Sequence, residues 1–381
     1  MREEALIVDD IGELDRELWN TLVADHPAAR YELLSTLDAR QAASRHRYAV
    51  IASADGYRCA ARLTFPSPQE GPPFGRVLFG RAAPVAAALG FQIRNASICR
   101  WFPCHGNTVL TDRRLPQAER IACTDAMLDV LEPASADRTM VFPDVLPQDT
   151  TLAEALARRG FAAAAGLPIA YLDVQWNDLE GYLAALKRGS KSWKNAARSE
   201  INRHRSSGAI VQRLSVGGAD YDRVCELLNR HHERLNAGDA PNHVTETLRR
   251  LHEALGQDCV IHASIRDGVM SGACVAVRHG SVATLLWVGV DHEAAGPDFA
   301  YFNLAFYTPA EEYAKLGVRR VWFGNAAFPA KIRRGCRLTP SRVYVRYPRN
   351  SVAHLLQKPV FAVQRAWYRR KFAGLPGMSD A

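Results

Sequence analysis

Apolar and polar positions along the chain switch repeatedly between a strand period and a helix period. ALIVDDI is a short apolar run near the start, and LDRELWNTLV carries helical spacing. HRYAVIAS and GYRCAARLTF predict two strands around a turn, for which SADG supplies the residues. A Pro/Gly-rich loop (PSPQEGPPFG) and an apolar segment (FPCHGNTVL) follow. Next come a helix from Gln117 to about Leu131, a strand TMVFPDV, a helix TLAEALARRG ending on Gly160, and a strand LPIAYLDVQW.

The pattern then starts again. WNDLEGYLAALKRGSKSWKNAARSEINRHRSSG predicts one long helix stopping at Gly208, with AIVQRLSV as a strand and YDRVCELLNRHHERL as a helix behind it. CVIHASIRDGVMSGACVAVRHGSVATLLWVGVD is the clearest stretch: three strands in series, with RDG and RHG as hairpin turns. A helix from Ala300 to Leu316 is closed by Gly317, and VRRVWFG and RVYVRYP are strands. SVAHLLQKPVFAVQRAWYRRKFAGLPG ends the chain as an amphipathic basic helix. Helix, antiparallel meander, helix and strand, occurring twice, predict an α+β fold of two tandem units. Each is a mixed or antiparallel sheet flanked by helices. The boundaries fall at 1–176, 177–350 and a basic tail at 351–381.

Composition narrows the class. With 381 residues, 48% hydrophobic and 23% charged, the chain is neither disordered, collagenous nor coiled-coil, and it is long enough for two cores. The net charge of +8 favours an anionic partner such as nucleic acid, a phosphorylated metabolite or a membrane surface. Eight cysteines are scattered with no CxxC pair, which fits reduced thiols and a cytoplasmic location. The acidic start lacks an apolar signal region, and no run is long enough to predict a transmembrane segment.

Several residue groups carry chemistry. From Leu186 to Arg213, Lys187, Arg188, Lys191, Lys194, Arg198, Arg203, Arg205 and Arg213 stand against the single Glu200. At about 100° per residue, Lys187, Lys191, Lys194, Arg198 and Arg205 fall near one stripe, which suits phosphate contact. The competing reading is a solvated helix face. Trp193 within it serves either a base stack or the core. Cys99, Cys104 and His105 match no usual zinc spacing, and His231, His232 and Glu233 lack metalloprotease spacing, so no metal is expected. Nucleophile-elbow, Walker and dinucleotide fingerprints are missing, so hydrolase, kinase and dehydrogenase readings have no support.

FAYFNLAFYTPAEEYAKLGVRRVWFGNAAFPAKIRRGCRLTPSRVYV, from Phe299 to Tyr344, resembles the C-terminal unit of the Fem-type peptidoglycan-bridge aminoacyltransferases, within the GNAT acyltransferase superfamily. The matching features are the helix ending in EEYAKLG, the strand into Phe323-Gly324, and Lys331 four residues before Gly335. The basic segment SKSWKNAARSEINRHRSSGAIV is similar to that family's entry into its second unit, and 1–176 resembles its degenerate first unit. The resemblance implies an acyltransferase that forms an amide bond, with aminoacyl-tRNA as donor and an amine of a peptidoglycan precursor or small molecule as acceptor. It implies no cofactor, and it puts Lys331 on the developing oxyanion. Lys187, Lys191, Lys194, Arg198 and Arg205, with Arg334, would meet phosphate or substrate. Asp291, Tyr301 and Asn303 would border a cleft near Val288–Asp291.

Two alternatives stay open. One is an acyl-CoA-dependent N-acyltransferase. A pyrophosphate needs backbone amides at a helix start, and here HEAAGPDFAY offers Gly296 but also Pro297 and Asp298. The other is a non-catalytic binder of RNA or anionic surfaces on the same scaffold.

Overall fold

The computed structural model describes residues 4–23, 26–38, 45–66, 74–91, 93, 95–101, 106, 108–214, 220–236, 244–296 and 298–378. In chain order the strands are β1 (Glu4–Val8), β2 (Arg45–Ser53), β3 (Gly56–Phe65), β4 (Ala96–Cys99), β5 (Val109–Thr111), β6 (Thr139–Val145), β7 (Ala162–Ala165) and β8 (Ile169–Asp173). They continue as β9 (Ile210–Arg213), β10 (Cys259–Arg266), β11 (Val269–His279), β12 (Val282–Val290), β13 (Arg320–Gly324), β14 (Arg337–Thr339) and β15 (Arg342–Arg346). The helices begin with α1 (Arg16–Val23), α2 (Tyr31–Asp38), α3 (Phe74–Phe79), α4 (Ala83–Ala88), α5 (Gln117–Ala134), α6 (Thr150–Arg158), α7 (Leu179–Gly189) and α8 (Lys191–Ser206). After them come α9 (Asp220–Asn236), α10 (Val244–Leu255), α11 (His292–Ala295) and α12 (Ala300–Phe302). A π-helical turn (Asn303–Tyr307) leads to α13 (Thr308–Lys315), then α14 (Phe328–Ile332) and α15 (Val352–Phe372).

Two mixed sheets result, each flanked by helices. The first runs β1-β2-β3-β4-β6-β15-β7 with β5 on β3, and the second runs β14-β8-β13-β12-β11-β10-β9. Both repeat one motif: an antiparallel pair (β3/β4, β11/β12) whose last strand then pairs in parallel with a later one (β4/β6, β12/β13). The meander forms as its alternation predicts, and Asp267 and Gly268, at φ 50° and 76°, make the first hairpin turn.

Residues pack into two compact units, one within 1–24, 28–169 and 338–381 and the other within 25–27 and 170–337. The contiguous ranges drawn from the sequence pattern (1–176, 177–350 and 351–381) differ from this grouping, because β15 and α15 return to the first unit. β15 pairs with β6 and β7. Its central Val343, Tyr344 and Val345 are all buried, so the strand needs cover on both faces and not an edge position. In the first unit α5 lays Met127, Leu128 and Leu131 on the face of β2, β3 and β6. In the second unit α9 crosses β12 so closely that a Cβ on Gly289 would lie 2.3 Å from the Leu227 carbonyl oxygen. Glycine is what permits that approach. Among the described residues, no helix is long and apolar enough to cross a membrane.

Candidate active site

The second sheet opens where β12 and β13 part. They pair in parallel only at Val282/Arg320, Ala283/Val321 and Thr284/Trp322, after which β13 stays with β8 and β12 stays with β11. Along β12 the register slips, Val275 facing Trp287 and Ala276 facing Leu285, so one extra residue bends the strand beside the gap.

Lys331 sits at the mouth of this gap. Its helical turn α14 begins after Ala327, held at φ 53°, with a proline in the first turn. The side chain is 7% exposed, and its ammonium donates to the carbonyl oxygens of Phe323 and Gly324, the residues next to the last paired one. Burial draws its pKa down to about 8, against a smaller opposing pull from Cys336. Near neutral pH it is thus a cation with few competing partners, which is what stabilising a developing oxyanion requires.

Three residues on, Arg334 forms the hub of a buried polar cluster. Its Nη2 donates to both carboxylate oxygens of Glu200 in α8, at 2.7 and 2.8 Å, its Nη1 donates to the Ala330 carbonyl at 2.9 Å, and the guanidinium carbon lies 3.2 Å from the Phe302 ring centre. Tyr307 donates its hydroxyl to Glu200, and Tyr182 donates to the Arg334 carbonyl at 2.8 Å. Burial raises both tyrosines' pKa values, so both hydroxyls stay protonated. Asn303 is buried and ties its amide to the Phe299 and Glu200 carbonyls. The π-helical turn therefore sets Asn303 and Tyr307 against α8, as such turns often do beside functional sites. Tyr301 packs edge-on against Phe302, and burial pushes its hydroxyl up as well.

The start of the following helix already holds an acidic side chain. Asp298 is buried, accepts from the Ala300 amide at 2.9 Å, and lies 3.5 Å from the Nδ1 atom of buried His204. Burial lowers the His204 pKa while Asp298 pulls it upward. The Asp298 side chain thus takes up the Ala300 amide at this helix start, an amide that a pyrophosphate bound there would use.

The basic segment is not one helix. Ser190, at φ −164° and ψ 138°, ends α7 and caps α8, and Gly208, at φ 78°, closes α8. The break displaces Lys187, which is exposed on α7 and off the stripe. Lys191, Lys194, Arg198 and Arg205 keep a common face of α8, with Lys194 half-buried and the others exposed. Arg198 is paired with Glu180 at 2.8 Å, whereas Lys191, Lys194 and Arg205 form no ion pair among the described residues. Trp193 packs over Gly189, where a Cβ would lie 2.7 Å from its ring, so it covers the helix break. Asp291 caps α11 through the Glu293 and Ala294 amides and pairs with Arg223 at 2.9 Å. Those amides and Arg223 hold its carboxyl below the usual range. It ties α9 to the end of β12 and does not point to a free substrate contact. Cys104 and His105 lie outside the described residues, and no group of metal-ligating residues occurs among the described ones.

Glu200 is the residue that sequence reasoning missed. Its only signal was being the lone carboxylate in a cationic run, and it falls on the other side of α8 from the lysine stripe.

Residues 191–331, which begin with α8 and end on Lys331, match the family model of the acetyltransferase (GNAT) domain. Over those residues the chain is similar to the acetyltransferases of the GNAT superfamily. Its fold is shared with FemX, at 12% identity and TM-score 0.60 over 93% of this chain and 99% of that one. The L-PGS structure from Bacillus licheniformis is similar at 10% identity and TM-score 0.54, over 92% and 97%. A conserved protein of unknown function from Bacteroides thetaiotaomicron aligns at 12% identity and TM-score 0.54, over 90% and 99%. These likenesses show that the two-unit fold is shared with FemX and L-PGS. No curated protein matches the chain at a significant level.

Proposed function

We propose that the protein is a cytoplasmic aminoacyltransferase that moves an aminoacyl group from tRNA to an amine of a peptidoglycan precursor or small molecule. The single observation that carries this reading is Asp298, whose carboxylate occupies the helix start where a CoA pyrophosphate would have to bind. The donor is then better sought among acyl esters without that group. An aminoacyl-tRNA ester is already activated, so catalysis reduces to orienting the partners and stabilising charge. The acceptor amine attacks the ester carbonyl, the C–N bond forms, and negative charge collects on the carbonyl oxygen beside the Lys331 ammonium. Collapse breaks the C–O bond, and the proton lost by the amine passes to the departing ribose hydroxyl. Lys191, Lys194 and Arg205, on one face of α8 and without an ion pair among the described residues, supply contacts for donor phosphates.

The test is to incubate the protein with bulk charged tRNA carrying labelled amino acids and a panel of amines that includes nucleotide-linked peptidoglycan precursors. Label that becomes stable to mild alkali marks an amide and supports the reading. Label that stays alkali-labile with every acceptor contradicts it. A second reading, acyl transfer from acyl-CoA, draws on the acetyltransferase name of the matched domain. It requires Asp298 to yield its position.

A further inference from the structure

Outside the acyl-transfer site, α15 is the most unusual surface among the described residues. Its inner face, with Phe361, Gln364, Tyr368 and Phe372, is buried in the first unit. A helix with one buried face normally turns charge to solvent on the other. Here the outer face is apolar too. Val352, Leu355, Val363 and Trp367 are 64%, 76%, 73% and 46% exposed, and Pro359 and Ala362 between them are also exposed. At about 100° per residue these positions share one continuous arc. Nearby, Phe91 packs on Phe361, and Val85 of the short helix α4 and Leu89, the residue that caps its end, are more than 60% exposed.

Charge borders this arc on one side. Lys358, Arg365 and Arg369 form a row along its edge, and Arg370 and Lys371 follow at its end, with no Asp or Glu anywhere from Val352 to Phe372. The same edge opens into a cavity of about 780 Å³ in the first unit, lined by Arg342, Arg365 and Arg369 together with Ser341, Tyr344 and Tyr368. None of these three arginines forms an ion pair with a described residue. Arg365 donates to the Ala163 carbonyl, and Glu154 is the one carboxylate among the lining residues.

We propose that α15 docks the protein on an anionic lipid bilayer, its outer apolar face lying in the interface and the Arg342–Arg365–Arg369 cavity taking a phosphodiester headgroup. A nucleic acid accounts for the arginines but leaves Leu355, Val363 and Trp367 facing water. A second copy would cover those side chains yet bring two basic borders together with no carboxylate on the helix to pair them. An anionic bilayer satisfies both the apolar arc and its basic edge, with Trp367 at the boundary. Docking is independent of the donor and acceptor of the acyl-transfer reading.

The test is co-sedimentation of the full chain with phosphatidylcholine vesicles and with vesicles containing phosphatidylglycerol, using folded variants confirmed by circular dichroism. The wild type is expected to pellet with the anionic vesicles and far less with the neutral ones. L355Q/V363Q changes only exposed positions and weakens binding more than tenfold, through lost apolar burial. R342Q/R369Q, likewise exposed, weakens it about thirtyfold on anionic vesicles. Three results would overturn the proposal. One is no vesicle binding with tRNA binding lost in R342Q/R369Q, which assigns the surface to nucleic acid. Another is a wild-type dimer that ignores vesicles and that L355Q/V363Q dissociates. The third is vesicle binding that both variants retain in full.

Discussion

Replacing Glu200 by Gln tests whether the buried cluster around Arg334 holds the active unit together. The Arg334 side chain is 7% exposed and that of Glu200 15%, and two hydrogen bonds of 2.7 and 2.8 Å join them. Removing one charge leaves the other desolvated, which costs about 3–5 kcal/mol for a buried pair. Gln keeps an acceptor for the Tyr307 hydroxyl, so E200Q belongs at the lower end, about 3 kcal/mol. R334M loses the Ala330 carbonyl bond as well and belongs at the upper end. Because each single change exposes the same orphaned interaction, E200Q/R334M should cost less than the sum by about 1–3 kcal/mol. Urea unfolding, followed by the shift in midpoint at constant slope, measures all three. Single losses below about 1 kcal/mol with an additive double variant would refute the reasoning.

Further expectations follow from the same geometry. If Lys331 acts as a cation, transfer falls as pH rises through about 8, whereas a base would make it rise there. The initial-rate pH profile of wild type and K331R separates the two. Lys331→Ala should cost about 10²–10³ in rate with the fold retained. Because the folded amine holds its proton less tightly than the unfolded one, stability contributed at this residue rises with pH between about 8 and the ordinary lysine value of about 10.4, a slope that K331M abolishes in pH-dependent melts. Gly289→Ala forces its methyl onto the Leu227 carbonyl and should lower stability by about 1–3 kcal/mol in denaturant titration. Reversing charge at Lys191, Lys194 and Arg205 should weaken tRNA binding and reduce its salt slope by about three, measured by titration across ionic strengths.

Much of the local structure was legible because its causes are local. Period-two alternation with Asp267-Gly268 at the turn is enough to specify the β10–β11–β12 meander, and Gly160, Gly208 and Gly317 mark helix ends that all occur, each at positive φ. Lys331 was singled out through resemblance, and the parting of β12 from β13 beside it is seen only in the folded sheet. What escaped was non-local. Nothing in RVYVRYP says that β15 will pair with β6 nearly two hundred residues earlier. Ser190 both ends one helix and starts the next, yet the cationic run continues across it and hides the break. Glu200 reads as a surface carboxylate among lysines until Arg334, 134 positions away, is folded against it.

The central claim is tested most directly by titrating the protein with bulk charged tRNA and, separately, with acetyl-CoA, at low and at physiological salt. The account predicts tight tRNA binding that weakens steeply with salt and no response to acetyl-CoA. Saturable acetyl-CoA binding without tRNA binding would contradict it.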